Sequence, residues 1–219
     1  MIVTIHQPNF APWTGFFDKM RQAEVFVLLD TVPFSKGSYQ NRVQIQGGQW
    51  LTVPVLTKGR TGQLTSAVEV NEVRPWRAEH LKTVQAVYGR APYAADVLGL
   101  LEETYAAGHT LLADLCCDLL GRITGYLGWE VPLVRASALA ARGSSSALLA
   151  EIVAETGGDT YLSGPSGRDY LDESLFADRG IEVTYHSFTP VPYDQGGREF
   201  EPRLSILDQI AWCARGWPS

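Results

Sequence analysis

The chain is poor in cysteine. Cys116, Cys117 and Cys213 are the only three in 219 residues, two of them adjacent, with no Cys-x-x-Cys spacing. An odd count so arranged makes a poor disulfide framework and points to reduced thiols in a cytoplasmic protein. No long apolar run is present, so no membrane span is expected. Residues 1–5 are apolar but short and lack a basic lead, so no signal peptide is expected either. Positive charge is also scarce: Lys and Arg total 18 against 24 Asp and Glu, for a net charge of −6. That balance argues against duplex nucleic acid as a partner, because such binding needs a basic face. His6, His80, His109 and His186 show no His-x-x-His or His-Glu-x-x-His spacing, so no metal site is expected. No internal repeat or low-complexity tract occurs.

What is present is ordinary for a globular protein: 45% hydrophobic and 19% charged residues. The length suits one α/β domain over 1–219, large enough to bury a core without staples. Residues 2–5 read as a first strand. Two prolines follow, so a helix is delayed to 12–21, where Trp13, Phe16, Phe17 and Met20 recur at helical spacing. Residues 24–30 form a nearly continuous apolar run, as in a strand buried on both faces of a parallel sheet. Strand, helix and strand over this length make a βαβ unit. Residues 42–46 and 49–55 around Gly47-Gly48 read as a hairpin, and 67–70 as a weak further strand. From about 74 to 127 the pattern turns helical and marks a helical subdomain. Its clearest stripe is Leu111, Leu112, Leu115, Cys116, Leu119, Leu120 and Ile123, ending near Gly125 or Gly128. Strands return at 131–135, 159–163 and 181–185, with a helix from Ser144–Ser146 to Gly157-Gly158 and a last helix over 204–214. The predicted fold is a Rossmann-like, mostly parallel sheet flanked by helices, with a helical insertion in mid-chain.

Ligands of open α/β sheets bind at the carboxyl ends of the strands, and that rule sorts the polar residues. His6, with Gln7 and Asn9, lies just past the first strand. A histidine there suits acid–base work or an anion, or else it bonds a loop carbonyl. Asp30 lies just past the second strand. Lys36 and Arg42 supply fixed positive charge, and Tyr39, Gln40 and Asn41 supply directional hydrogen bonds, a set that suits phosphate or carboxylate as well as an ordinary solvated loop. Ser163-Gly164-Pro165-Ser166-Gly167-Arg168, with Tyr170 beyond it, again suits an anion, or is a plain turn. It lacks the glycine spacing of a nucleophile elbow and the Gly-Lys-Ser/Thr of a P-loop. Tyr193-Asp194-Gln195-Gly196-Gly197 reads either as a loop over a site or as a loop alone. Cys116 and Cys117 lie on an apolar stripe and read as packing.

These clusters stand in an order that resembles the WbqC-like protein family. The opening Ile5-His6-Gln7-Pro8-Asn9-Phe10-Ala11-Pro12-Trp13-Thr14-Gly15-Phe16-Phe17-Asp18-Lys19 looks like the family signature. Val27-Leu28-Leu29-Asp30, Ser38-Tyr39-Gln40-Asn41-Arg42, Trp50-Leu51-Thr52-Val53-Pro54-Val55, Tyr161-Leu162-Ser163-Gly164 and Leu204-Ser205-Ile206-Leu207-Asp208 follow. The likeness runs from about 2 to 208 and is least distinct over 72–127. Gly37 and Arg168 depart from it, where a basic residue and a lysine are expected. The resemblance implies biosynthesis of cell-surface polysaccharide or natural products. It implies transfer of an acyl or aminoacyl group from an activated donor to a small amine or amino sugar, and names no cofactor. His6 and Asp30 would be catalytic. Gln7, Asn9, Lys36, Tyr39, Gln40, Asn41, Arg42, Ser163, Arg168, Tyr170 and Gln195 would bind a small polar or anionic metabolite. A looser, fold-level similarity to nucleotidyltransferase-like ligases of the pantothenate synthetase type implies an ATP-using alternative. The second histidine of their His-x-x-His is absent here. A small-molecule binding module without catalysis is the third expectation.

Overall fold

The computed structural model describes residues 1–213 and Arg215. In chain order its elements are β1 (Ile2–His6), α1 (Thr14–Arg21), β2 (Val25–Leu28), β3 (Arg42–Ile45), β4 (Gln49–Thr52), α2 (Trp76–Tyr88), α3 (Ala94–Ala106), α4 (Leu112–Leu127), β5 (Leu133–Arg135), α5 (Ser145–Glu155), β6 (Thr160–Ser163), α6 (Ser174–Ala177), β7 (Glu182–Tyr185) and α7 (Ile206–Trp212). They fall into two compact units that interleave along the chain. The first holds Met1–Gln7, Gly15–Thr31 and Glu130–Thr189; the second holds Pro8–Thr14, Val32–Trp129 and the described residues from Pro190.

The first unit carries a five-stranded sheet of order β5-β2-β1-β6-β7, parallel throughout. Numbered within this unit alone, the strands run third, second, first, fourth, fifth. That is the order of a Rossmann-like half, whose direction of winding reverses between β1 and β6. The central strand β1 is β-branched, and Val3, Thr4 and Ile5 are all buried. Thr4 tolerates burial because its hydroxyl donates to the Leu162 carbonyl at 2.6 Å. Helix α1 packs Phe16, Phe17 and Met20 inward, and α5 adds Leu149, Ile152 and Val153. This is the expected α/β fold.

The second unit holds the β3–β4 hairpin and the mid-chain helices. Arg42 pairs with Thr52 and Gln44 with Trp50. The turn between them puts Gly47 and Gly48 at φ of 74° and 71°, where a Cβ would be strained. Helices α2, α3 and α4 pack in sequence, and α7 packs on α3. The α4 stripe is buried from Leu112 to Ile123, Leu111 stands half-buried at the N-cap, and Gly128 ends the helix at φ 74°.

Several boundaries differ from the sequence reading. Helix α1 begins at Thr14 because Trp13 is held in a bridge to Ser205. β2 stops at Leu28, where the Asp30 amide turns back to the Leu28 carbonyl at 3.0 Å. Residues 67–70 form no strand of their own. A 3-10 turn at Thr65–Ala67 and isolated bridges at Glu69 and Val70 replace it. Helix α7 starts at Ile206, with the Ser205 hydroxyl accepting the Leu207 amide. The end expected at Ala214 lies outside the described residues.

Candidate functional site

The site is built at the carboxyl edge of the parallel sheet, beside the switch between β1 and β6. Val3 pairs with Tyr161, so the two chains leave the sheet side by side at His6 and Gly164. The His6 ring stands edge-on to Phe16, with centroids 4.7 Å apart. Its Nδ1 lies 2.9 Å from the Gln7 carbonyl. A carbonyl only accepts, so the ring proton sits on Nδ1 and Nε2 keeps its lone pair. Among the described residues Nε2 has no partner. His6 as a residue is half-buried, and the packing around its ring is dense. Burial, and after it the nearby Lys19 charge, hold the His6 pKa down to about 3 against the weaker pull of the Gln7 carbonyl. The imidazole is therefore neutral at ordinary pH.

Lys19 is the less expected member. Residues Gly15 to Met20 of α1 are all buried, and Lys19 is only 4% exposed. Its Nζ donates to the Ile5 carbonyl at 3.1 Å, directly before His6. It has no carboxylate partner among the described residues, and burial lowers its pKa to about 7. The adjacent Asp18 is taken up elsewhere: it receives His186 Nε2 at 2.7 Å, Arg21 at 2.8 Å and Gln22 at 2.7 Å.

Asp30 is fully buried. Its Oδ2 accepts from Arg135 Nε and from the Ser137 hydroxyl, each at 2.7 Å, and its Oδ1 accepts the Ser137 amide at 2.8 Å. The carboxylate thus ties the ends of β2 and β5 together. Its bond is to Arg135, whereas the partner of His6 is Gln7. At the end of β6, Ser163 is buried, and its hydroxyl donates to the Gly164 carbonyl at 3.1 Å. A Cβ on Gly167 would lie 2.1 Å from Ser163 Oγ, so any larger residue there would displace the Ser163 hydroxyl. Arg168 is exposed, with its guanidinium 4.1 Å above the Tyr185 ring. Tyr170 is exposed as well.

His6, Gln7, Asp30, Ser163, Arg168 and Tyr170 therefore share the edge that the strand-end rule predicts. The remaining predicted residues belong to the second unit. Asn9 is half-buried and Lys36 exposed. Tyr39 is exposed and lies 6.2 Å from Trp50 between centroids, while Arg42 sits 4.6 Å over the Trp50 ring. Gln40 and Asn41 are buried: Gln40 Oε1 accepts the Ser35 amide and Asn41 Nδ2 donates to the Val53 carbonyl. Gln195 is buried too, donating to Asp208 Oδ2 at 2.8 Å and accepting the Glu201 amide at 2.8 Å. Sequence reasoning missed Lys19, Arg135, Ser137 and His186 as site-edge residues. The signal for Lys19 was its place inside Gly15-Phe16-Phe17-Asp18-Lys19-Met20, a helix too apolar to leave a lysine at the surface.

The profile of the WbqC-like protein family matches residues 7–216. A curated relative, the uncharacterized protein Rv1507c of Mycobacterium tuberculosis (strain ATCC 25618 / H37Rv), is 33% identical over 213 residues. That alignment covers 95% of this chain and 92% of the relative. No solved structure matches.

Proposed function

The chain belongs to the WbqC-like protein family, and on that premise we propose that it transfers an acyl or aminoacyl group from an activated donor to a small amine or amino sugar. The observation that carries this reading is His6. It is a neutral imidazole at the switch point, with Nδ1–H tied to Gln7 and Nε2 free. In the proposed step the amine nitrogen attacks the donor carbonyl carbon and forms the C–N bond. The ammonium proton turns strongly acidic as that bond forms, so a weak base takes it late. His6 Nε2 receives it and returns it to the leaving group as the carbonyl re-forms. Lys19 acts on the Ile5 carbonyl and through its charge on His6, as a positioning residue. Arg168 and Tyr170 meet the anionic part of donor or acceptor.

The test is product formation, followed by mass spectrometry, from amino sugars and acyl thioesters. The wild type should form an amide. His6→Gln should lose roughly 10²–10⁴-fold in rate, the usual worth of a general base, while still binding the acceptor. An equal rate in His6→Gln would remove His6 from the chemistry.

The strand order favours a second reading, an ATP-using ligase, because a sheet wound in this sense binds nucleotides at its switch point. That reading requires an ATP–magnesium-dependent thermal shift and turnover that stops without ATP. A tight small-molecule binder that gives no product with either donor would instead be a binding module.

A further inference from the structure

We propose a second small-molecule site, specific for an oxyanion-bearing metabolite, wholly within the second unit and independent of the amide-forming reading. A cavity of about 530 Å³ is lined by Gln46, Gln85, Arg90, Gly196, Arg198 and Trp212, with Ala86, Val87 and Gly89 completing the wall. No Asp or Glu lines it, in a chain whose net charge is −6. Arg90 and Arg198 have no carboxylate, carbonyl or ring partner among the described residues. Only Arg203 shares that condition; the other arginines lie on carboxylates, carbonyls or aromatic faces, as Arg21, Arg60 and Arg122 do on acids. Two guanidiniums that line one cavity and have no partners among the described residues give a fixed positive field and forked donors for phosphate or carboxylate.

The wall is built to hold them. Gln46 is buried, its side chain donating to the Gln195 carbonyl at 2.7 Å and its amide donating to the Tyr88 hydroxyl at 3.2 Å. The following turn brings the Arg198 guanidinium against Gly47, where a Cβ would lie 3.7 Å from it. The Trp212 ring packs so closely on Gly196 that a Cβ there would lie 2.5 Å from it. The Trp212 indole N–H is buried with no acceptor among the described residues. The charged groups of this wall and its buried unmet group, the Trp212 indole N–H, are donors, which suits an occupant that carries acceptor oxygens. The neighbouring cavity, which shares Arg198, also holds Arg203 but balances it with Glu199 and Glu201.

Pyrophosphate and malonate are the probes, titrated by calorimetry at low ionic strength against the intact protein. Wild type is expected to bind at least one of them. Pyrophosphate alone identifies a phosphate ester as the natural ligand, and malonate alone a carboxylate. Arg90→Ala and Arg198→Ala should each weaken that binding about ten-fold or more, the worth of a charge-assisted bond, and Arg203→Ala should not. Both arginines are exposed, so these variants should fold, and unchanged melting temperatures would verify it. No binding of either probe, or equal loss in Arg203→Ala, overturns the proposal. Neither result bears on His6, so the two readings fail separately.

Discussion

Two histidines, one in each unit, show why burial alone does not mark a site. His80, in the helical unit, is buried, and its pKa is held down to about 4, chiefly by burial. His6, at the sheet edge, is held down to about 3, again chiefly by burial. Their hydrogen bonds differ. His80 Nε2 donates to the Thr52 carbonyl at 3.1 Å, and its Nδ1 accepts from the Tyr105 hydroxyl at 2.9 Å. Both nitrogens are used, and the ring is a cross-brace between hairpin and helices. His6 uses one nitrogen and carries the opposite tautomer. The lesson extends to the two units. In the helical unit Gln40, Asn41 and Gln195 are turned inward to hold loops, whereas the parallel sheet leaves its polar residues at strand ends.

The sharpest way to break this comparison is to exchange the two histidines' losses. His6→Gln should cost roughly 10²–10⁴-fold in turnover and leave the melting temperature nearly unchanged. His80→Ala should do the reverse, since it leaves a buried hydroxyl and carbonyl unpartnered. About 2–4 kcal/mol of stability should go, read as a fall in denaturant midpoint at unchanged slope. If His80→Ala were silent in stability and His6→Gln were not, the assignment of roles would be inverted.

Next in size is Asp30→Ala. It removes the carboxylate that Arg135 and Ser137 share, at a cost of about 2–4 kcal/mol, moderated because Arg135 remains part-exposed. A thermal melt should fall by roughly 5–10 °C on that basis. A stable variant that lost turnover alone would return Asp30 to the catalytic role expected from sequence.

The smallest effects lie in the pH dependence. Lys19 binds its proton less tightly folded, at about 7, than unfolded, at 10.5. Between those values the unfolded chain holds more protons, so stability rises with pH across that window and is flat below it. Lys19→Met should remove that slope. His6 and His80, both lowered from 6.5, act in the same sense in acid, where stability falls as pH drops from 6.5 towards about 3 and about 4 respectively. Urea melts across pH on the single variants would separate the three.

Much of the sheet was legible because strand-forming runs in a parallel sheet are simply apolar and β-branched, as Ile2-Val3-Thr4-Ile5 is. The α4 stripe was legible from period, and the strand-end rule placed His6 at the edge. The pairing of Asp30 was not legible, since Arg135 lies 105 residues away and no local pattern links them. Nor was the division into two units, because short pieces such as Pro8–Thr14 cross between them. Gln195 read as part of a loop, over a site or alone, but its amide bonds to Asp208 and Glu201 are long-range or backbone contacts that composition does not carry. Lys19 was not singled out as a site residue, because the helical stripe Trp13, Phe16, Phe17 and Met20 does not by itself reveal a helix buried along the six consecutive residues from Gly15 to Met20.

The most direct test is long-range proton–nitrogen NMR of the four histidines through a pH titration, which needs no substrate. His6 should keep its proton on Nδ1 and remain neutral from pH 8 to below 5, consistent with a pKa near about 3, and Lys19→Met should raise that pKa. A His6 that titrates near 6.5, the ordinary value, or that carries its proton on Nε2, would contradict the account.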